Sequence, residues 1–68
     1  MSWNDLAPGT WLMETRPYGR RFLVHAIHSK PGLPVPNVEL LVDGSERQRL
    51  SLSLHTVRDP ARFKPVAG

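Results

Sequence analysis

Sixty-eight residues with a formal charge of +3 make one small domain, residues 1–68. A chain this short buries only roughly 60% of the surface its unfolded form exposes, which excludes a second core. With no cysteine there is neither a disulfide staple nor a thiolate metal site, so packing or self-association must supply the stability. The 40% hydrophobic fraction argues against disorder. The absence of an apolar leader near Met1, or of any apolar run of spanning length, argues against secretion and membrane insertion and makes a cytoplasmic location the expectation. Arginine dominates the nine basic residues, the pI is near 10.2, and seven prolines favour loops, turns and edges over helices.

Residues 1–9 read as an N-terminal arm. An Asn4-Asp5 pair can cap a short turn, Trp3 and Leu6 would share one side of it and lie over the barrel, and Pro8-Gly9 ends it. Thr10 to Thr15, T-W-L-M-E-T, is a strand by its β-branched and aromatic content. It runs into R-P-Y-G, where Pro17 suits the second position of a type I turn and Gly19 the left-handed place that closes a three-residue loop. In that register Trp11 faces His25, Met13 faces Leu23, Thr15 faces Arg21 and Leu12 faces Val24.

Strand two, Arg21 to Ser29, then carries Phe22, Val24 and Ala26 on one side and Leu23, His25 and Ile27 on the other. Both sides are apolar, so one must be covered by the arm, the tail or a second subunit, and the expectation is a homodimer. Trp11, Met13, Leu23 and Ile27, with Leu33 and Val35 from the next loop, are the candidate protein interface. Residues 30–37, K-P-G-L-P-V-P-N, form a Pro-rich loop that no helix or central strand can occupy.

The clearest period-two pattern spans Val38 to His55. Val38, Leu40 and Val42 alternate with wetter or outward positions, as do Leu50, Leu52 and Leu54. A two-residue Asp43-Gly44 turn would pair Leu40 with Arg47 and set arginines on the oily face. For the apolar positions of both arms to coincide, the connection must be an odd loop or contain a bulge near Ser45 to Gln48. Arg47 and Arg49 then point outward. Asp59 is placed as a cap with Pro60 as first helical residue, giving a short 3-10 turn before a last edge strand at Phe63 to Val66. The expected fold is all-β, a small five-stranded SH3-like barrel.

Pro8-Gly9 followed by Trp11, Gly19 before strand two, His28-Ser29 after it and the closing Arg62-Phe63 resemble small uncharacterised bacterial domains with SH3-like barrels. The resemblance implies the fold and a bacterial character, and no particular activity. It departs in the Pro-rich loop and the arginine-rich hairpin. The plasmid-type dihydrofolate reductase is a second short SH3-like look-alike. Its Val-Gln-Ile-Tyr run is absent, and the equivalent strand here reads Leu-Ser-Leu-Ser-Leu.

Nothing else in the chain spells out catalysis. His25 and His28 should point to opposite faces of a regular strand, and no cysteine or carboxylate cluster completes a ligand set, so no metal and no cofactor are expected. Ser51 and Ser53 lack the sharp turn that exposes a nucleophile, and the carboxylates are scattered singly, so no enzyme activity is expected. The basic groups are the main functional signal. Arg16, Arg20 and Arg21 surround the first turn with Tyr18, Arg47 and Arg49 occupy the second hairpin, and Arg62 and Lys64 lie near the end. If the two tips and the tail share one rim, they make a guanidinium surface for nucleic-acid phosphates with an aromatic ring for stacking. A homo-oligomeric protein-interaction module is the alternative.

Overall fold

The computed structural model describes residues 6–32 and 34–66, and the readings of Trp3, of the Asn4-Asp5 cap and of Leu33 lie outside the described residues. Five strands and one helical turn follow one another: β1 (Trp11–Glu14), β2 (Arg21–His28), β3 (Asn37–Val42), β4 (Arg49–Ser53), α1 (Leu54–Val57) and β5 (Phe63–Val66). They form a single antiparallel sheet of order β4-β3-β2-β1-β5, curled into a half-barrel. This is the all-β, barrel-like architecture expected, with β4 and β5 as its two edges.

The core lies on the inner side of the curl. Leu12, Phe22, Val24, Val38, Leu40, Val42, Val57 and Phe63 are buried there, and Leu6, Ile27, Leu50, Leu52 and Leu54 pack against them. The second hairpin solves its parity problem with a five-residue connection. Val38 pairs with Leu52 and Leu40 with Leu50, and the Val42 N–H donates to the Gln48 carbonyl at 2.9 Å. Asp43 and Gly44 do take positive φ, 53° and 78°, as their turn chemistry demands. A second turn, closed by Gln48 N–H to the Ser45 carbonyl at 3.3 Å, restores the even register. Gly44 answers a second need as well, since a Cβ there would stand 3.0 Å from Cη2 of Trp11.

The first hairpin differs from expectation by two residues. Trp11 pairs with Leu23, Leu12 with Phe22 and Met13 with Arg21, and the Glu14 N–H reaches the Arg20 carbonyl at 3.0 Å. Its connection is therefore five residues long instead of three. The left-handed residue is Tyr18, φ 58°, and not Gly19. Gly19 is needed for space: a Cβ would sit 2.4 Å from the Glu14 carbonyl oxygen. Because the shift is even, Trp11, Met13 and Leu23 stay together on the outer face.

A bulge at His25 changes the second half of β2. Val24 pairs with Leu40 but Ala26 with Glu39, so one extra residue is accommodated between them. Ile27 thereby comes opposite Val38 and joins the inner face, while Ala26 turns outward, the reverse of a regular alternation. The candidate interface loses Ile27 for this reason.

The helical turn also sits earlier than expected. Leu54 and His55 leave the β4 pattern for α1, because Ser53 caps it: the Ser53 Oγ accepts from the Thr56 N–H at 3.2 Å. Val57 plugs the core from this turn, fully buried. Asp59 does organise a turn, with its Oδ1 accepting from the Ala61 N–H at 2.9 Å, but that turn is not a helix. No helix among the described residues is long and apolar enough to cross a membrane.

Candidate nucleic-acid interface

Strand direction gathers the basic residues. β1 and β3 both run toward their hairpin tips, Asp43 N–H bonds the Arg21 carbonyl at 2.8 Å, and β5 begins with Phe63 opposite Glu14. Both tips and the start of β5 thus lie at one end of the ladder. Arg16, Tyr18, Arg20, Arg47 and Arg62 occupy its loops, while Arg21 and Lys64 flank Met13 one rung below. Arg49 lies on the outer side of the β4 edge, where its Nη1 donates to Glu39 at 2.9 Å and its Nε to the Glu46 carbonyl at 3.2 Å.

The charge of the chain sorts with this geometry. At the tip end Arg16, Arg20, Arg21, Arg47, Arg62 and Lys64 stand with Glu14, Asp43 and Glu46. Among the other described residues Lys30, Arg49 and Arg58 stand with Glu39 and Asp59, and the Asp59 carbonyl closes the turn that carries Arg62. Six of the nine basic residues therefore gather at one end of the sheet.

One carboxylate builds the first tip. Glu14 Oε1 accepts from the Arg20 backbone N–H at 3.0 Å and from Arg20 Nε at 3.2 Å, and its Oε2 stands 3.2 Å from Arg16 Nε. The Arg20 N–H bond is the main reason the Glu14 carboxyl lies below the ordinary glutamate range. Partial desolvation opposes it, and the Arg20 and Arg16 guanidinium groups reinforce it. Thr15 ties the tip to the far side of the cleft, its Oγ1 donating to the Ala61 carbonyl at 2.7 Å and its N–H to the Arg62 carbonyl at 3.0 Å. Between them is a cleft of about 190 Å³ lined by Glu14, Thr15, Arg16, Ala61, Arg62 and Phe63.

Tyr18 stands at the apex of this tip, fully exposed. Gly19 N–H closes the turn on the Arg16 carbonyl at 3.0 Å, which leaves Pro17 and Tyr18 as its two central residues; of the two turn types that Pro17 suits, only type II has φ above zero at the second, and Tyr18 stands at 58°. A non-glycine side chain held there costs about 1–2 kcal/mol. The sequence gives its glycine to the next position, where only the absence of a Cβ fits.

A depressed carboxyl stabilises the folded tip fully above the unfolded glutamate value, about 4.3. That contribution disappears as pH falls through the lower, folded value. The Arg20 amide proton, hydrogen-bonded to this carboxylate, is therefore expected to titrate by NMR with a midpoint below the ordinary glutamate range. The Glu14→Gln variant should lose that titration.

The outer face is apolar but shielded by its own chain. Leu41 is only 3% exposed although it lies outside the core cluster. Trp11, Met13 and Leu23 are half-buried. The Trp11 indole reaches from β1 to Gly44 beyond β3, and the Arg21 guanidinium stacks over it with 4.8 Å to the ring centroid. Val35, the last candidate interface residue described, is elsewhere. With Pro34, Pro36, Leu54, His55 and Arg58 it lines a groove of about 460 Å³ beside α1.

The bulge at His25 brings together groups that a regular strand would separate. His28 Nε2 lies 3.4 Å from Glu39 Oε2. His25 and Arg49 also act on Glu39: desolvation pulls its carboxyl upward, but the His28 hydrogen bond and the Arg49 and His25 charges together hold it below its ordinary range. So His25 and His28 do not act on opposite faces, contrary to the alternation expected of them. Among the described residues no group of three potential ligands could hold a metal ion. The signals missed in the sequence were the tip-building role of Glu14, the tie from Thr15 to Ala61 and this outer cluster. All depend on bulge and loop geometry that period-two reading does not contain.

No family model matches the chain, and no curated protein or solved structure is significantly similar to it.

Proposed function

We propose that this protein is a non-catalytic module that binds nucleic acid through the hairpin-tip rim, with Arg16, Arg20, Arg21, Arg47, Arg62 and Lys64 meeting phosphates. The observation that carries the reading is the gathering of six of the nine basic residues at one end of the sheet. Arg21, Arg47, Arg62 and Lys64 have no carboxylate ion pair among the described residues, so phosphates would not have to displace one. Arg16 and Arg20 are paired with Glu14 and Arg49 with Glu39, so these three would exchange a carboxylate for a phosphate. A homo-oligomeric interaction module is less favoured, because Trp11 and Arg21 already shield much of the apolar outer face.

Phosphate binding releases counterions, so its affinity falls steeply with salt. Four phosphate contacts correspond to a loss on the order of 100-fold between about 50 and 200 mM salt. Titration of a labelled oligonucleotide across that range is the test. Replacing Arg21 and Lys64 together with Ala should lower the slope of log affinity against log salt by about 2. Far-UV circular dichroism should be unchanged, since neither side chain is in the core. An absence of binding at low salt overturns the reading.

A further inference from the structure

Among the described residues Tyr18 is the one large hydrophobic side chain fully open to solvent, and it occupies a backbone conformation that disfavours it, φ 58°. Everything beneath it is held. Glu14 clamps Arg16 and Arg20, Gly19 is wedged against the Glu14 carbonyl, and Thr15 is tied to the segment before β5. Glycine or asparagine would suit this turn position better, and the ring has no ring-stacking or cation–π partner in its own chain among the described residues. A strained position on a rigid pedestal, filled by an aromatic that gains nothing inside the fold, directs the ring to something outside it.

We infer that the preferred ligand of the rim is single-stranded nucleic acid, with one unpaired base stacked on Tyr18 while the flanking backbone is met by arginines beside the Arg16–Arg62 cleft. The inference rests on the proposed nucleic-acid reading and names the form of the ligand. A base inside a duplex already has both faces stacked on its neighbours, whereas an unpaired base offers a free π-face to a ring. The preformed tip removes much of the ordering cost of such a contact. Stacking also tolerates any base, in keeping with a surface whose remaining contacts would be phosphates.

The test compares a fluorescein-labelled oligothymidylate of about 12 nucleotides with a G·C-rich duplex of the same length, which stays paired at low salt. Parent, Tyr18→Phe and Tyr18→Asn proteins are titrated by anisotropy at low salt. The parent and Tyr18→Phe should bind the single strand about tenfold more tightly than the duplex. Tyr18→Asn should lose that factor for the single strand, keep its duplex affinity, and melt no lower than the parent because asparagine tolerates the left-handed conformation. If Tyr18→Asn binds the single strand as the parent does, the inference is overturned and the rim reading stands. If neither form of DNA binds the parent, both are overturned. A parent that sediments as more than one chain, and a Tyr18→Asn variant that sediments as one, would assign the ring to self-association and overturn the inference too.

Discussion

Phe22→Ala is expected to abolish the cooperative thermal transition and the near-ultraviolet dichroism of the protein at 25 °C. Phe22 is 1% exposed and stands edge-on to Phe63, ring centroids 5.6 Å apart at 80°. It pairs with Leu12 of β1 and Val42 of β3, so its ring is where β1, β3 and β5 share one interior. Truncating a buried phenylalanine costs about 3–5 kcal/mol. A chain of this size, without disulfide or metal, holds about 3–5 kcal/mol in total, and the two quantities cancel. Phe22→Leu keeps most of the volume and should remain folded, with a urea midpoint lowered by a difference of about 1 kcal/mol. A cooperative transition retained in Phe22→Ala would mean that the core draws its stability from elsewhere.

Gly19→Ala should have the second largest effect, and in a place where a surface loop would ordinarily tolerate a methyl group. The added Cβ would meet the Glu14 carbonyl oxygen at 2.4 Å and the Glu14 Cβ at 2.8 Å. Both belong to the residue on which the tip is built, so relief requires moving the β1 backbone or releasing Arg20. The expected cost is about 3 kcal/mol, the upper part of the usual range for overpacking, read as a shift of the urea midpoint. The disturbance should also reach the Arg20 amide proton, whose partner is the Glu14 carboxylate at 3.0 Å. Gly9→Ala is the useful contrast. A Cβ at Gly9 meets nothing within 4 Å, so its cost is limited to its left-handed conformation, about 1–2 kcal/mol.

The second hairpin was readable from its residues because two independent demands met there. Val38, Leu40 and Val42 had to face Leu50 and Leu52, and only an odd connection allows that, whatever the Asp43-Gly44 turn prefers. The first hairpin offered no such check: an even slip of two residues leaves Trp11, Met13 and Leu23 on the same face, so periodicity is blind to it. The observed register brings Gly19 so close to Glu14 that no Cβ would fit there, and a pattern of residue types carries no distances. The bulge at His25 was hidden for a related reason. In V-H-A-I either Ala26 or Ile27 can serve as the inward residue, and the choice is made by pairing with β3. Leu54 and His55 continue the strand alternation by pattern, and Ser53 three residues before Thr56 was the available sign of a cap. For the candidate interface, the arginines and Tyr18 were visible as types and positions. Their gathering at one end depended on strand order, and the role of Glu14 beneath them on loop geometry.

The strand order also bears on how the molecule assembles. β1, β2, β3 and β4 are joined to their neighbours by short connections, so each of those ladders closes locally. Only the β1–β5 ladder, from Trp11 with Val66 to Glu14 with Phe63, joins segments about fifty residues apart. The entropy lost in closing so long a loop is offset only once the meander already presents Leu12 and Phe22 as a surface for Phe63. β5 is thus the clasp of the fold, expected to be the last strand to dock and the first to detach. Because Arg62 and Lys64 travel with it, the basic rim is expected to be complete only once β5 has docked.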